Sequence, residues 1–118
     1  MDTLDRIKRQ IVNNPVLLYM KGSPQFPQCG FSARVAHILG SLNTQFAYVN
    51  ILDNPDIRKT LPQYANWPTF PQLYIQGELV GGCDIVTEMH EKGELKPKLE
   101  AAKALSNADT DVEIIAAE

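Results

Sequence analysis

Val16-Leu17-Leu18-Tyr19-Met20 and, after the loop of residues 21–28, Cys29-Gly30-Phe31-Ser32 form the stretch on which the fold turns. The first five residues are a short, continuous apolar run of the kind found in strands buried on both faces. Gly22, Pro24 and Pro27 make the next segment a loop. From Cys29 onward, Phe31, Val35, Ile38, Leu39 and Leu42 step by three and four, which predicts a helix with Cys29 at or just before its first turn. A strand leading through a loop to a helix start places a thiol where α/β sheets hold ligands, at the carboxyl end of a strand.

In a Cys-x-x-Cys pair the first thiolate attacks and the second resolves the mixed disulfide. With Ser32 in the second place, Cys29 can begin exchange but has no local thiol to finish it. The competing reading makes Cys29 a small buried hydrophobe. If the helix does start there, its free N–H groups and dipole favour the thiolate, and the charge of Lys21 adds to them. The thiol pKa should then fall below its ordinary value of about 8.5.

Outward from this unit the pattern continues. Leu4, Ile7 and Ile11 predict a first helix stopped by Asn13-Asn14-Pro15, and residues 46–51 read as a second strand. Asp53-Asn54-Pro55-Asp56 starts a short third helix through Leu61, which Pro62 is expected to end or kink. After Trp67-Pro68-Thr69-Phe70-Pro71, residues 72–75 and 78–80 read as strands joined by a turn at Gln76-Gly77. Two helices follow, the first beginning at Asp84 with Ile85, Val86 and Met89 inside, the second carrying Leu95, Leu99 and Ala102. The expected fold class is therefore α/β, a four-stranded mixed sheet with helices on both faces.

Several further residues offer chemistry, each with a plainer alternative. Phe70-Pro71 enters a strand at a proline, which signals an edge, a bulge, a cis bond or simply a turn; a cis bond would turn the Phe70 backbone toward an extended ligand. Gly81-Gly82-Cys83-Asp84 opens a helix whose N–H groups suit a carboxylate. Asp84 reads first as a helix cap, and second as a contact for a ligand ammonium. Cys83 is either an inert thiol or a distant resolving partner for Cys29. Arg58 is either a solvated cation or a fork for a carboxylate. Trp67 belongs to the core or to a wall of the site. His37 and His90 have no metal-ligand spacing to each other or to the cysteines, which argues against zinc.

Lys21, Cys29-Gly30-Phe31-Ser32, Arg58, Trp67-Pro68-Thr69-Phe70-Pro71 and Gly81-Gly82-Cys83-Asp84, in this order, closely resemble the monothiol glutaredoxins over about residues 3–105. The segment of residues 23–27 resembles the lengthened loop of their iron-sulfur-binding class. The resemblance implies a thioredoxin-like fold over residues 1–106, with residues 107–118 as an acidic tail expected to be disordered. That tail is read from its composition and lies outside the match; within the match the resemblance implies a glutathione site: Lys21 and Arg58 at the glycyl carboxylate, the Phe70 backbone at the cysteinyl unit, Cys83 and Asp84 at the γ-glutamyl end. It also implies a 2Fe-2S cluster, whose four ligands would be Cys29 from each of two subunits and two glutathiones. Expected partners are a second copy when cluster-bound, a BolA-like protein, and apo iron-sulfur acceptor proteins. The alternative is a glutathione-dependent thiol-disulfide oxidoreductase in which Cys29 attacks and glutathione or Cys83 resolves.

Composition narrows the remaining classes. The chain of 118 residues supports one domain with a core that needs no disulfide. Two cysteines are too few for a secreted disulfide scaffold, and no charged-then-apolar leader precedes the first helix, so a reducing cytoplasm is expected. Of the net charge of −3, Asp109, Asp111, Glu113 and Glu118 supply −4, leaving the body nearly neutral at +1. No basic stripe argues for nucleic acid, and no long apolar or basic amphipathic segment argues for a membrane.

Overall fold

In the computed structural model, which describes residues 2–105 and 113–118, the elements run in order as α1 (Thr3–Asn13), β1 (Val16–Met20), α2 (Gly30–Ser41), β2 (Phe46–Asn50), α3 (Pro55–Ala65), β3 (Gln72–Ile75), β4 (Glu78–Gly81), α4 (Cys83–Glu91), α5 (Leu95–Ala101) and β5 (Ile114–Ala116). The strands form one sheet in the order β4-β3-β1-β2-β5. β1 lies parallel to β2 and antiparallel to β3, which continues antiparallel to β4. All five β1 residues are buried, as a central strand with helices on both faces requires.

Alternation along β1 divides the core. Val16, Leu18 and Met20 join Val35, Leu39, Val86 and Leu99 on the face covered by α2, α4 and α5. Leu17 and Tyr19 point the other way, to Ile7, Ile11, Ile57 and Leu61 of α1 and α3. On that second face the Tyr19 hydroxyl donates to Gln10 Oε1 at 2.8 Å, and burial pushes the Tyr19 phenol pKa well above its ordinary value. Across the α1–α3 contact, Thr3 Oγ1 and Arg6 donate to Asp56 Oδ2 at 2.8 and 2.9 Å. Asp2 caps α1 by accepting from the Asp5 N–H at 2.8 Å.

Three expectations change. The sheet has five strands, because Ile114–Ala116 pairs in parallel with Phe46, Ala47 and Tyr48 of β2. The acidic segment expected to be disordered thus contains an edge strand. Ile114 packs against the α2-side core, and this apolar contact outweighs the acidic composition around it. The earlier part of that segment, including Asn107, Asp109 and Asp111, lies outside the described residues. α3 runs past Pro62 to Ala65 rather than ending at Leu61. Buried Ile57 and Leu61 hold the helix in place, and Asn66 closes it in a left-handed conformation with its N–H donating to the Pro62 carbonyl. Finally, α4 begins at Cys83, with Gly82 as N-cap and no side-chain capping bond, so Asp84 does not serve as the cap. Among the described residues no helix is long and apolar enough to cross a membrane.

Candidate functional site

The segment between β1 and α2 delivers the thiol. Gly22 and Pro27 form an isolated antiparallel bridge, the Gln28 N–H donates to the Lys21 carbonyl at 2.9 Å, and Ser23 and Phe26 exchange backbone bonds of 3.1 and 3.3 Å. So tight a closure requires glycine at position 22, where φ is +91° and a Cβ would lie 2.5 Å from the Phe26 carbonyl oxygen. Asn50 at the end of β2 fastens the loop, its Oδ1 accepting from the Gly22 N–H at 2.9 Å. Asn50 has no role in the sequence reading. Its one local signal is an amide side chain just before a turn, and its partner is far along the chain.

The loop leaves Cys29 as the extended N-cap of α2, as expected. Its pKa lies below that of an ordinary thiol: the Ser32 backbone N–H contributes most, the Phe31 N–H, the Ser32 hydroxyl and the Lys21 charge add to it, and partial burial opposes them. Ser32 is 0% exposed, and its Oγ accepts from the Lys21 N–H at 3.1 Å. The residue that stands where a second thiol would be is therefore a joint between the end of β1 and the first turn of α2.

A groove of about 680 Å³ opens beside Cys29. Lys21, Cys29, Arg58, Phe70, Cys83 and Asp84 all line it, so the fold gathers every site residue the sequence singled out. Pro62, Trp67 and Ile85 add apolar wall; Ile85, expected on the inner face of its helix, is instead exposed toward the groove, while Val86 is buried in the core and Met89 packs against it. The Phe70-Pro71 bond is cis, and no hydrogen bond to the Phe70 N–H or C=O is found among the described residues. Trp67 Nε1 is buried with no partner among the described residues, and it sits where Gly82 lacks a side chain: a Cβ there would be 3.5 Å from Nε1 and 3.2 Å from the Pro71 carbonyl oxygen.

The groove's chemistry is mixed. Lys21 and Arg58 supply cations, the first turns of α2 and α4 supply N–H donors, and exposed Asp84 supplies a carboxylate. Such a set accepts a zwitterionic, peptide-like molecule with more than one carboxylate. Cys29 and Cys83 are both free thiols, and Cys83 Sγ lies 3.9 Å from Thr87 Oγ1.

A helix-start thiol after the first strand of a mixed sheet, beside a loop with a cis-proline, defines a thioredoxin-like protein. Residues 16–80 match the Glutaredoxin family model. The chain is 57% identical over 112 residues to Glutaredoxin 4 of Escherichia coli strain K12, covering 94% of this chain and 97% of that protein. Among solved structures, reduced apo GrxS14 of poplar is 49% identical with a TM-score of 0.74, over 85% of this chain and 92% of that one. A buckwheat glutaredoxin solved as its glutathione complex is 27% identical with a TM-score of 0.77, over 87% and 92%. The chain belongs to the glutaredoxin family.

Proposed function

We propose that this glutaredoxin is of the monothiol type, binds glutathione in the groove beside Cys29, and carries a 2Fe-2S cluster as cargo in iron-sulfur storage, transfer or assembly. The observation that carries the reading is a single activated thiol at the start of α2, followed by the buried hydroxyl of Ser32 and set in a groove of peptide-binding character. Lys21 and Arg58 take the glycyl carboxylate of glutathione. The free Phe70 backbone groups pair with its cysteinyl unit, while Cys83, Asp84 and the start of α4 take its γ-glutamyl end. The buckwheat complex supports glutathione as the ligand.

The ligand count supports the cargo. A 2Fe-2S cluster takes four ligands. Cys29 supplies one, and among the described residues no group of three or more His, Cys, Asp and Glu side chains is placed to hold a metal. A second copy of the chain and two glutathione thiolates complete the set. Phe26 and Phe31, 76% and 63% exposed near the thiol, offer apolar surface to that second copy or to a BolA-like partner. The apo protein is then a monomer, the loaded one a dimer, and its location a reducing cytoplasm where glutathione stays a thiol.

Anaerobic reconstitution with iron, sulfide and glutathione tests this. Visible absorption of a cluster, co-eluting with a dimer on gel filtration, is expected for the native chain and not for Cys29→Ser. A cluster that forms without the Cys29 thiol or without glutathione overturns the reading.

A second reading is favoured by the lowered Cys29 pKa and by Cys83 in the same groove. Here the Cys29 thiolate attacks the glutathione sulfur of a glutathionylated protein, releasing the protein thiolate and leaving Cys29 disulfide-bonded to glutathione. A second glutathione thiolate, or that of Cys83, then attacks that disulfide: glutathione regenerates Cys29 and leaves as oxidised glutathione, whereas Cys83 forms an internal disulfide and releases glutathione. Turnover of a mixed disulfide that persists in Cys83→Ser would assign resolution to glutathione.

A further inference from the structure

We propose that Gln72, which does not line the groove, is a positioning residue that sets the groove's peptide-binding edge. Gln72 is the first residue of β3 and is 0% exposed. Its Nε2 donates to two carbonyls of the preceding loop, Trp67 at 3.0 Å and Thr69 at 3.2 Å. Its Oε1 accepts from the Tyr74 hydroxyl at 3.0 Å. The amide cannot be turned over, because its oxygen would then face the two carbonyl oxygens of Trp67 and Thr69.

One side chain thus fixes the two carbonyls that flank the segment leading to Phe70. The carbonyls of Trp67 and Thr69 are drawn inward onto Gln72, and the Phe70 N–H and C=O remain without partners among the described residues. Inward satisfaction on one side of the loop is what frees the other side for a ligand. The same tether holds Trp67, whose indole packs over Gly82 at the start of α4, so it connects the Phe70 edge to the α4 edge of the groove. Gln72 touches no ligand and acts through the loop. Only an amide fits this role: it needs two N–H donors on one end and an acceptor on the other, at a buried position where a charge would be costly.

The inference rests on the glutathione reading above, and its test separates the two. Reduced glutathione is titrated into the full-length native chain, Gln72→Met, Gln72→Glu and a control, Phe46→Leu. Binding is followed calorimetrically and by fluorescence of Trp67, the chain's single tryptophan. Gln72→Met keeps the volume and removes both donors, and should weaken glutathione about tenfold, ~1.4 kcal/mol. Gln72→Glu, which sets a carboxylate against the two carbonyls, should weaken it further. Phe46→Leu lowers Tm through the core and should leave affinity unchanged, so a loss of affinity at comparable Tm marks positioning rather than packing. Amide exchange in the ligand-free Gln72→Met protein should quicken at Trp67, whose N–H donates to the Pro62 carbonyl at 3.1 Å, and not in β1 or α2. Native-like affinity and loop exchange in both Gln72 variants overturns the inference alone. If the native chain fails to bind glutathione, the ligand reading falls, and the loop exchange still decides whether Gln72 holds the segment.

Discussion

Ser32 shows how a position can be read as a deficit and yet have work of its own. Its buried hydroxyl accepts from the Lys21 N–H and lies close enough to the Cys29 thiolate to stabilise it. Ser32→Ala leaves the Lys21 N–H unpaired, which should cost about 1–3 kcal/mol in denaturant unfolding. It also removes one of the influences that lower the Cys29 pKa. The sign follows: because the native pKa is depressed, iodoacetamide alkylation of Cys29 reaches its plateau at lower pH than for a free cysteine, and in Ser32→Ala the midpoint moves up. Gly82 makes a second test at this scale. In Gly82→Ala the new Cβ would press on the Pro71 carbonyl oxygen at 3.2 Å, an atom of the backbone that cannot swing aside. Glutathione should bind about tenfold more weakly, ~1.4 kcal/mol, with the pH profile of Cys29 alkylation preserved.

Elements carry the next set of expectations. The loop of residues 21–28 is closed by its own backbone bonds and by Asn50, so a change at its tightest point should be felt throughout. Gly22→Ala combines a positive φ with a 2.5 Å approach to Phe26 and should destabilise the protein by about 2 kcal/mol or more, read as a fall in the urea midpoint. β5 is a different case, a short strand added at an edge remote from the groove. Ile114→Asp should release it, and amide exchange should rise at Phe46, whose N–H donates to the Glu113 carbonyl at 3.0 Å. Cys29 reactivity should not change, since no β5 residue lines the groove. The end of α3 and β5 depart from the sequence expectation for a shared reason. Pro62 and the acidic segment are judged locally, whereas Ile57, Leu61 and Ile114 are held by distant packing.

For the whole molecule, β1 joins two cores, and a truncation there tests both. Leu18→Ala, fully buried on the α2 side, should lower stability by about 2–5 kcal/mol. On the other face the Asp56 carboxylate has a lowered pKa, through the Thr3 hydroxyl first, then the Ile57 N–H and the charge of Arg6. A carboxylate with a depressed folded pKa stabilises the fold above its unfolded value of about 3.9, and that contribution is lost as pH falls through the folded pKa. Acid unfolding of Asp56→Asn should therefore be less steep than that of the native chain. By itself the sequence determined the order of the elements from α1 to α5, the buried β1, the thiol at the start of α2, and six residues, Lys21, Cys29, Arg58, Phe70, Cys83 and Asp84, that the fold places along the groove. Those signals are local: spacing of apolar side chains, prolines and glycines at turns, and one cysteine before a helical run. Only the tertiary structure decided that Ser32 joins β1 to α2, that Asn50 ties down the loop, that Gln72 holds the wall of the groove, and that β5 closes the sheet. Each of these depends on a carbonyl, an N–H or a strand edge whose position is set by the folded chain, and a buried polar group takes its partner from whatever the fold brings within hydrogen-bond reach.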